Sequence, residues 1–167
     1  LEFRRVLFRS DYGKDYLAGF KAGLGDKAKT MIVKEASYEV SDPTVDSQMA
    51  QLQASGADTF FNITTPKFAA QAIRRAFDSG WKPVHYLNNV SVGVGSVLKP
   101  AGLDKSVGLI TTQYVKDPTD EQWKNDPAMQ RWTAFMKKYF PDGALNDSTN
   151  VYAYGVAQTM VQVIKQA

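Results

Sequence analysis

Thr59-Phe60-Phe61-Asn62-Ile63 is a short apolar run of β-branched and aromatic type. It is entered from Ser55-Gly56-Ala57-Asp58 and left through Thr64-Thr65-Pro66. Met31-Ile32-Val33 lies before it and Val84-His85-Tyr86-Leu87 after it, each bounded by turn residues. Apolar runs of this length and type read as buried strands. The segments between them, residues 45–54 and 67–78, carry helical spacing instead. Strand, helix, strand, helix, strand implies βαβ units and a parallel sheet with flanking helices, an α/β fold of Rossmann-like kind. Ligands of such sheets bind beyond the carboxyl ends of the strands. The loops to watch therefore begin at Ala36, Thr64 and Asn88.

Working outward, 167 residues suffice for one ordinary domain with a real core. The hydrophobic share of 44% and charged share of 22% are those of a globular chain. Of the net charge of +3, residues 1–10 supply +2 through Arg4, Arg5 and Arg9 against Glu2. The +1 that remains is no electrostatic footprint for nucleic acid or an anionic membrane. With no cysteine, disulfides, thiolate catalysis and Cys-based metal sites are excluded. No apolar run approaches the ~20 residues of a bilayer-spanning helix.

Leu1–Ser10 does not share the texture of the rest. LEFRRVLFRS has neither helical nor strand period, and Leu7-Phe8-Arg9-Ser10 looks like a translated sequencing adapter. The segment is read as a scar and set aside from functional reasoning. Its Val6-Leu7-Phe8 is still apolar enough to occupy a strand position.

Asp11–Leu24 reads as a helix with Leu17, Phe20 and Leu24 as its stripe, Ser10 or Asp11 as cap and Gly25 at its end. The first strand is expected at Thr30–Glu35, with Tyr38–Asp42 as loop. Asp42-Pro43 reads as a helix opening, followed by Val45, Met49 and Leu52 on one face. The helix after Pro66 is expected to bury Phe68, Ala69, Ala72, Ile73, Ala76 and Phe77. Residues 91–106 read as loop with one helical turn at Val97-Leu98, and a fourth strand is expected at Val107–Tyr114. Residues 116–127 form a polar linker. Two helices close the chain. Ala128–Tyr139 carries Trp132, Phe135, Met136 and Tyr139 on one face, and Val151–Lys165 carries Val151, Tyr154, Val156, Met160, Val161 and Ile164.

The chemistry points to binding more than to catalysis. A lone histidine, His85, forms no His-based metal cluster and reads as structural or superficial. Gly93-Val94-Gly95 lacks the third glycine of a dinucleotide turn, Leu98 standing in its place. Asp42, Asp46 and Asp58 read as caps, and Asp117, Asp120, Glu121 and Asp126 as solvated linker charges. What remains are uncharged polar and aromatic groups at strand ends: Tyr12 and Gly13, Thr64 and Thr65, Asn88 and Asn89. Around a cleft they suit a small polar ligand with an apolar part. They supply neither a general base nor an activated nucleophile. The same residue types are also ordinary turn and cap residues.

Five phrases recur in one known family. They are Asp11-Tyr12-Gly13-Lys14-Asp15-Tyr16 opening a helix, Asp42-Pro43-Thr44-Val45-Asp46-Ser47-Gln48, Ser55-Gly56-Ala57-Asp58, Gly80-Trp81-Lys82-Pro83, and Tyr152-Ala153-Tyr154-Gly155 with Ala157-Gln158. In this order and spacing, residues 11–167 resemble the substrate-binding proteins of branched-chain and hydrophobic amino-acid ABC transporters. These are the leucine/isoleucine/valine-binding type, periplasmic binding proteins of type I.

The resemblance implies two Rossmann-like lobes joined by crossings, with ligand clamped between them. It makes residues 11–115 the second lobe, residues 116–127 a crossing linker and residues 128–167 helices of a first lobe whose sheet is absent. The chain is then a fragment, and Arg4–Phe8 takes a central strand's place by default. The resemblance also implies no enzyme activity, no cofactor and no metal. It implies a periplasmic location, or a lipid-anchored one in a Gram-positive source, and an inner-membrane permease as partner. Tyr12, Gly13, Thr64, Thr65, Asn88 and Asn89 match ligand-contacting positions. Many relatives place an acid for the ligand's ammonium where Asn88 and Asn89 stand, so an amino acid and an aromatic or aliphatic carboxylate both stay open as ligands. The alternatives are an α/β enzyme or a cytoplasmic amide-responsive regulator on the same scaffold, and a protein-interaction fragment.

Overall fold

A computed structural model describes residues 3–8, as backbone, and residues 10–167. The readings of Leu1, Glu2 and Arg9 lie outside the described residues.

Among the described residues five strands form one parallel sheet: β1 (Phe3–Phe8), β2 (Ile32–Tyr38), β3 (Thr59–Ile63), β4 (Val84–Leu87) and β5 (Ile110–Thr111). Their order is β2-β1-β3-β4-β5. β1 is central, pairing with β2 along one side and with β3 along the other. The helices are α1 (Asp11–Leu24), α2 (Ala28–Met31), α3 (Asp46–Ala54), α4 (Pro66–Asp78), α5 (Lys99–Ala101), α6 (Pro127–Tyr139) and α7 (Ser148–Gln166). From β1 the chain winds one way to β2 and then the other way to β3 and β4. Such a reversal opens a crevice at the carboxyl ends of the two central strands, here β1 and β3.

Neighbouring residues of a strand face opposite sides of the sheet, and Phe60 and Phe61 show how β3 uses this. Phe60 is fully buried among Met49 and Leu52 of α3 and Phe68 and Ala72 of α4. Phe61 serves the other face, where Phe20 of α1 stacks on it at 4.5 Å and Tyr16 tilts against it at 6.0 Å. The α4 side holds most of the core, which continues through Ala69, Ile73, Leu87, Val92 and Val97. Val45, Met49 and Leu52 are buried there as their spacing predicts.

Several expectations are corrected. β2 begins at Ile32 because Ala28–Met31 forms a helical turn, and it runs on through Tyr38, whose ring is buried on the α3 and α4 side. α3 begins at Asp46, not at Pro43. The Asp42 carboxylate instead accepts from the Glu39 N–H at 2.9 Å, closing the turn before the helix. On α1, Tyr16 and Phe20 meet the sheet residue Phe61, while Leu17 and Leu24 are half-buried. Phe77 is exposed and takes no part in the α4 core. Among the described residues the segment 107–114 pairs at Ile110–Thr111 alone, against Tyr86 and Leu87, and Gly108 turns the backbone through φ +86° just before it. Residues 94–98 form a π-helical turn. In the linker, Glu121–Trp123 is a 3-10 turn.

By contacts the chain divides into two units, Leu1–Val92 with Val97–Thr112, and Gly93–Ser96 with Gln113–Ala167. In the second unit Met129, Trp132 and Met136 of α6 are buried against Trp123, Val151 and Tyr154. Phe135 and Tyr139 of the expected α6 face are exposed, as are Val156, Met160, Val161 and Ile164 of α7. Asp126 is not a solvated charge. It caps α6 through Ala128 and Met129 N–H groups, both at 3.0 Å, and pairs with Lys116 Nζ at 2.6 Å. The Lys116 bond and these N–H groups hold its carboxyl below the usual carboxylate range. Gly93 and Gly95 belong to the same unit, and a side chain at Gly93 would meet Ser96 Oγ at 2.3 Å.

Candidate functional site

β3 and β4 end side by side, and their last residues are joined by buried polar bonds. Asn62, an amide inside an apolar run, is fully buried. Its Oδ1 accepts from the Thr64 N–H at 3.2 Å and from the Thr64 hydroxyl at 2.7 Å. Its backbone carbonyl accepts from the Asn88 N–H at 3.0 Å and from Asn88 Nδ2 at 3.1 Å. Asn88 Nδ2 also donates to the Thr64 carbonyl at 2.8 Å, and Ser91 Oγ donates to that same oxygen at 2.6 Å. Satisfied networks of this kind rigidify a loop junction, because any partner removed leaves a buried polar group unpaired.

The network fixes the state of Tyr12. Asn88 Nδ2 faces two carbonyl oxygens and its Oδ1 accepts from the Val90 N–H at 3.0 Å, so the amide has one orientation. The Tyr12 hydroxyl, 3.2 Å from Oδ1, must therefore be the donor. Its oxygen is left with lone pairs only, and can accept from a further group but not donate. Desolvation by burial, followed by the neighbouring Tyr16 and Tyr38, pushes the phenol's pKa well above its ordinary value, so it stays neutral. The Tyr16 ring meets Tyr12 edge-on at 5.6 Å and holds it at the start of α1. Gly13 is buried in the first turn, where its N–H reaches the Ser10 hydroxyl at 3.5 Å.

Thr65 is tied to the end of β2. The Tyr38 hydroxyl accepts from the Thr65 N–H at 2.9 Å and shares a bond with Thr65 Oγ1 at 3.1 Å. Burial raises the Tyr38 pKa despite these bonds. Thr65 and Asn89 are half-buried at the surface of this edge, while Thr64 and Asn88 lie beneath it with every named polar atom engaged.

The structure thus joins Tyr12, Asn88 and Thr64 in one chain of bonds, places Thr65 and Asn89 next to them in sequence at the same edge, and buries Gly13 in the first turn of α1. Asn62, Ser91 and Tyr38 were not singled out by sequence. The one available signal was Asn62 itself, a polar side chain within an apolar run. Among the described residues no group of three or more His, Cys, Asp or Glu is placed to hold a metal ion. Among them, too, no helix is long and apolar enough to cross a membrane.

Several solved structures share this architecture. A possible leucine/isoleucine/valine-binding protein from Rhodopirellula baltica SH 1 superposes with a TM-score of 0.77 at 19% identity, covering 99% of this chain and 44% of that one. An extracellular ligand-binding receptor from Verminephrobacter eiseniae ef01-2 gives 0.73 at 18%, covering 95% and 44%. A fatty acid ABC transporter substrate-binding protein from Thermomonospora curvata gives 0.66 at 22%, covering 84% and 34%. The chain spans less than half the length of each. At these identities the likeness is one of fold. Among curated protein sequences none matches the chain. The model of the periplasmic binding protein family matches residues 8–167, and the chain belongs to that family.

Proposed function

We propose that this chain is part of the extracytoplasmic solute-binding component of an ABC importer, holding an amino acid or related small carboxylate and delivering it to an inner-membrane permease. In this reading residues 11–115 are the second of two lobes, residues 116–127 a crossing, and residues 128–167 helices of the first lobe. Ligand sits at the carboxyl edge of β3 and β4, clamped when the lobes close. Closure requires that ligand bind the closed state better than the open one.

The observation that carries the reading is the fixed Tyr12 hydroxyl. Asn88 consumes its proton and leaves an oxygen that only a donor can satisfy. An ammonium group is such a donor. Tyr12 thereby takes over part of what an acid would do at this edge, with Thr65 and Asn89 as neighbouring polar contacts and Asn88 as the residue that positions the phenol. Family membership supports a binding role over a catalytic one. The Rhodopirellula and Thermomonospora proteins are named for leucine-type amino acids and a fatty acid, which have an aliphatic carboxylate in common.

Calorimetric titration with leucine, phenylalanine, hexanoate and 4-hydroxybenzoate tests the proposal, in the wild type and in Tyr12→Phe. Leucine or phenylalanine is expected to bind weakly, because the chain carries one lobe of the clamp, and Tyr12→Phe to cost about 1.5–3 kcal/mol, the worth of a hydrogen bond to a charged group. Binding of the two carboxylates alone moves the ligand class away from amino acids. Turnover of any of the four compounds contradicts the binding role.

A further inference from the structure

A cavity lies at the opposite edge of the sheet, where β4 and β5 begin. It has a volume of about 400 Å³ and is walled by Ile73 of α4, by Trp81 before β4, and by Val107 and Leu109 before β5. His85 lines it as well, with the ring 8% exposed. The Phe60 ring packs on the imidazole at 4.4 Å and on Trp81 at 5.3 Å, so the histidine side of the cavity is aromatic.

The protonation of His85 follows from its neighbour. Both donors of Thr64 hold Asn62 Oδ1, so Asn62 Nδ2 is the group that faces His85 Nε2, at 3.2 Å. A donor there requires Nε2 to be an acceptor, and the imidazole proton then sits on Nδ1. Among the described residues nothing accepts from Nδ1. A ring N–H with no protein acceptor, in a ring that lines an open cavity, is a donor available to whatever enters it.

The charges around the cavity say what that something is. Lys105 Nζ is bound to Asp78 at 2.6 Å and lies 5.5 Å over the Phe77 ring, so its charge is already met. Lys82 and Asp104 are exposed and opposite in sign. No net field favours an ion. We infer that this cavity is a binding site for a small uncharged molecule, mainly aromatic or aliphatic, carrying one hydrogen-bond acceptor that takes the Nδ1–H of His85. It is separate from the Tyr12 edge and does not depend on the reading given to that edge.

His85 is the one histidine in the chain, so its imidazole signals are assigned without ambiguity. The test follows them by NMR on the whole 167-residue chain during titration with acetophenone, an aromatic ring with one carbonyl. Its isostere α-methylstyrene, in which a methylene replaces the carbonyl oxygen, is titrated in parallel. The nitrogen shifts are expected to show the Nδ1–H tautomer. Acetophenone is expected to move the ring signals saturably and to bind roughly tenfold better than α-methylstyrene, the worth of one hydrogen bond. Val107→Trp fills the cavity from a side chain that is 83% exposed, leaves the fold intact, and is expected to abolish the effect. An Nε2–H tautomer, equal binding of the two probes, no movement with acetophenone, or movement that persists in Val107→Trp each overturns the inference.

Discussion

Asn62 shows how far a single residue reaches. Through its side chain and its carbonyl it ties Thr64, Asn88 and His85, and through Asn88 it orients Tyr12. Asn62→Ala leaves the Thr64 N–H and hydroxyl and His85 Nε2 without their partner in a buried site. Each such group costs about 1–3 kcal/mol, so a loss of about 3 kcal/mol or more is expected in urea unfolding. A loss below about 1 kcal/mol would show that the network does not hold the loops. His85 makes a second prediction at this scale. Burial depresses its pKa to about 3, against about 6.5 when unfolded. The unfolded chain therefore takes up a proton below pH ~6.5 that the folded chain refuses, and stability falls as pH drops from there. At pH 5 the loss relative to pH 8 is about 2 kcal/mol, the slope approaching about 1.4 kcal/mol per unit below pH ~6. With no other histidine present, the slope in this window should be nearly absent in His85→Gln, and an unchanged slope would place its origin elsewhere.

At the scale of elements, legibility followed burial. β3 was readable to its ends because Thr59–Ile63 is packed on both faces, so the run is apolar throughout apart from Asn62. β5 was not, since an apolar run does not disclose how much of itself finds a partner strand. Ile110 and Thr111 pair, while Val107 stands 83% exposed. Tyr38 reads as loop by sequence because its polar tip and the turn after it dominate locally, although the ring is 1% exposed and extends β2 into the core. Asp126 reads as solvated by sequence because neither its two capping N–H bonds nor its Lys116 partner is visible as a pattern. Replacing it is a direct check. Asp126→Ala should lower the melting temperature above pH 5, and the difference from wild type should shrink as pH falls through the depressed carboxyl pKa. A difference that persists at low pH would mean the charge is not what stabilises α6.

For the whole molecule, the candidate site was legible as a place and less so as a set of roles. Parallel topology puts ligands at the carboxyl edge, and Tyr12, Thr64 and Asn88 converge there. Which of them faces outward depends on bonds across dozens of residues, which no local spacing encodes. Thr64 and Asn88 turn out to hold the edge together from beneath, leaving the Tyr12 oxygen, Thr65 and Asn89 at its surface.

Binding of ligand at this edge through a donor to Tyr12 is open to a backbone NMR titration of the chain with leucine, and with 4-methylpentanoate as its deaminated analogue. Leucine should shift the amides of Tyr12, Gly13, Thr65 and Asn89, with the analogue shifting them more weakly at equal concentration. Shifts that gather elsewhere, or an analogue that matches leucine, would contradict the account.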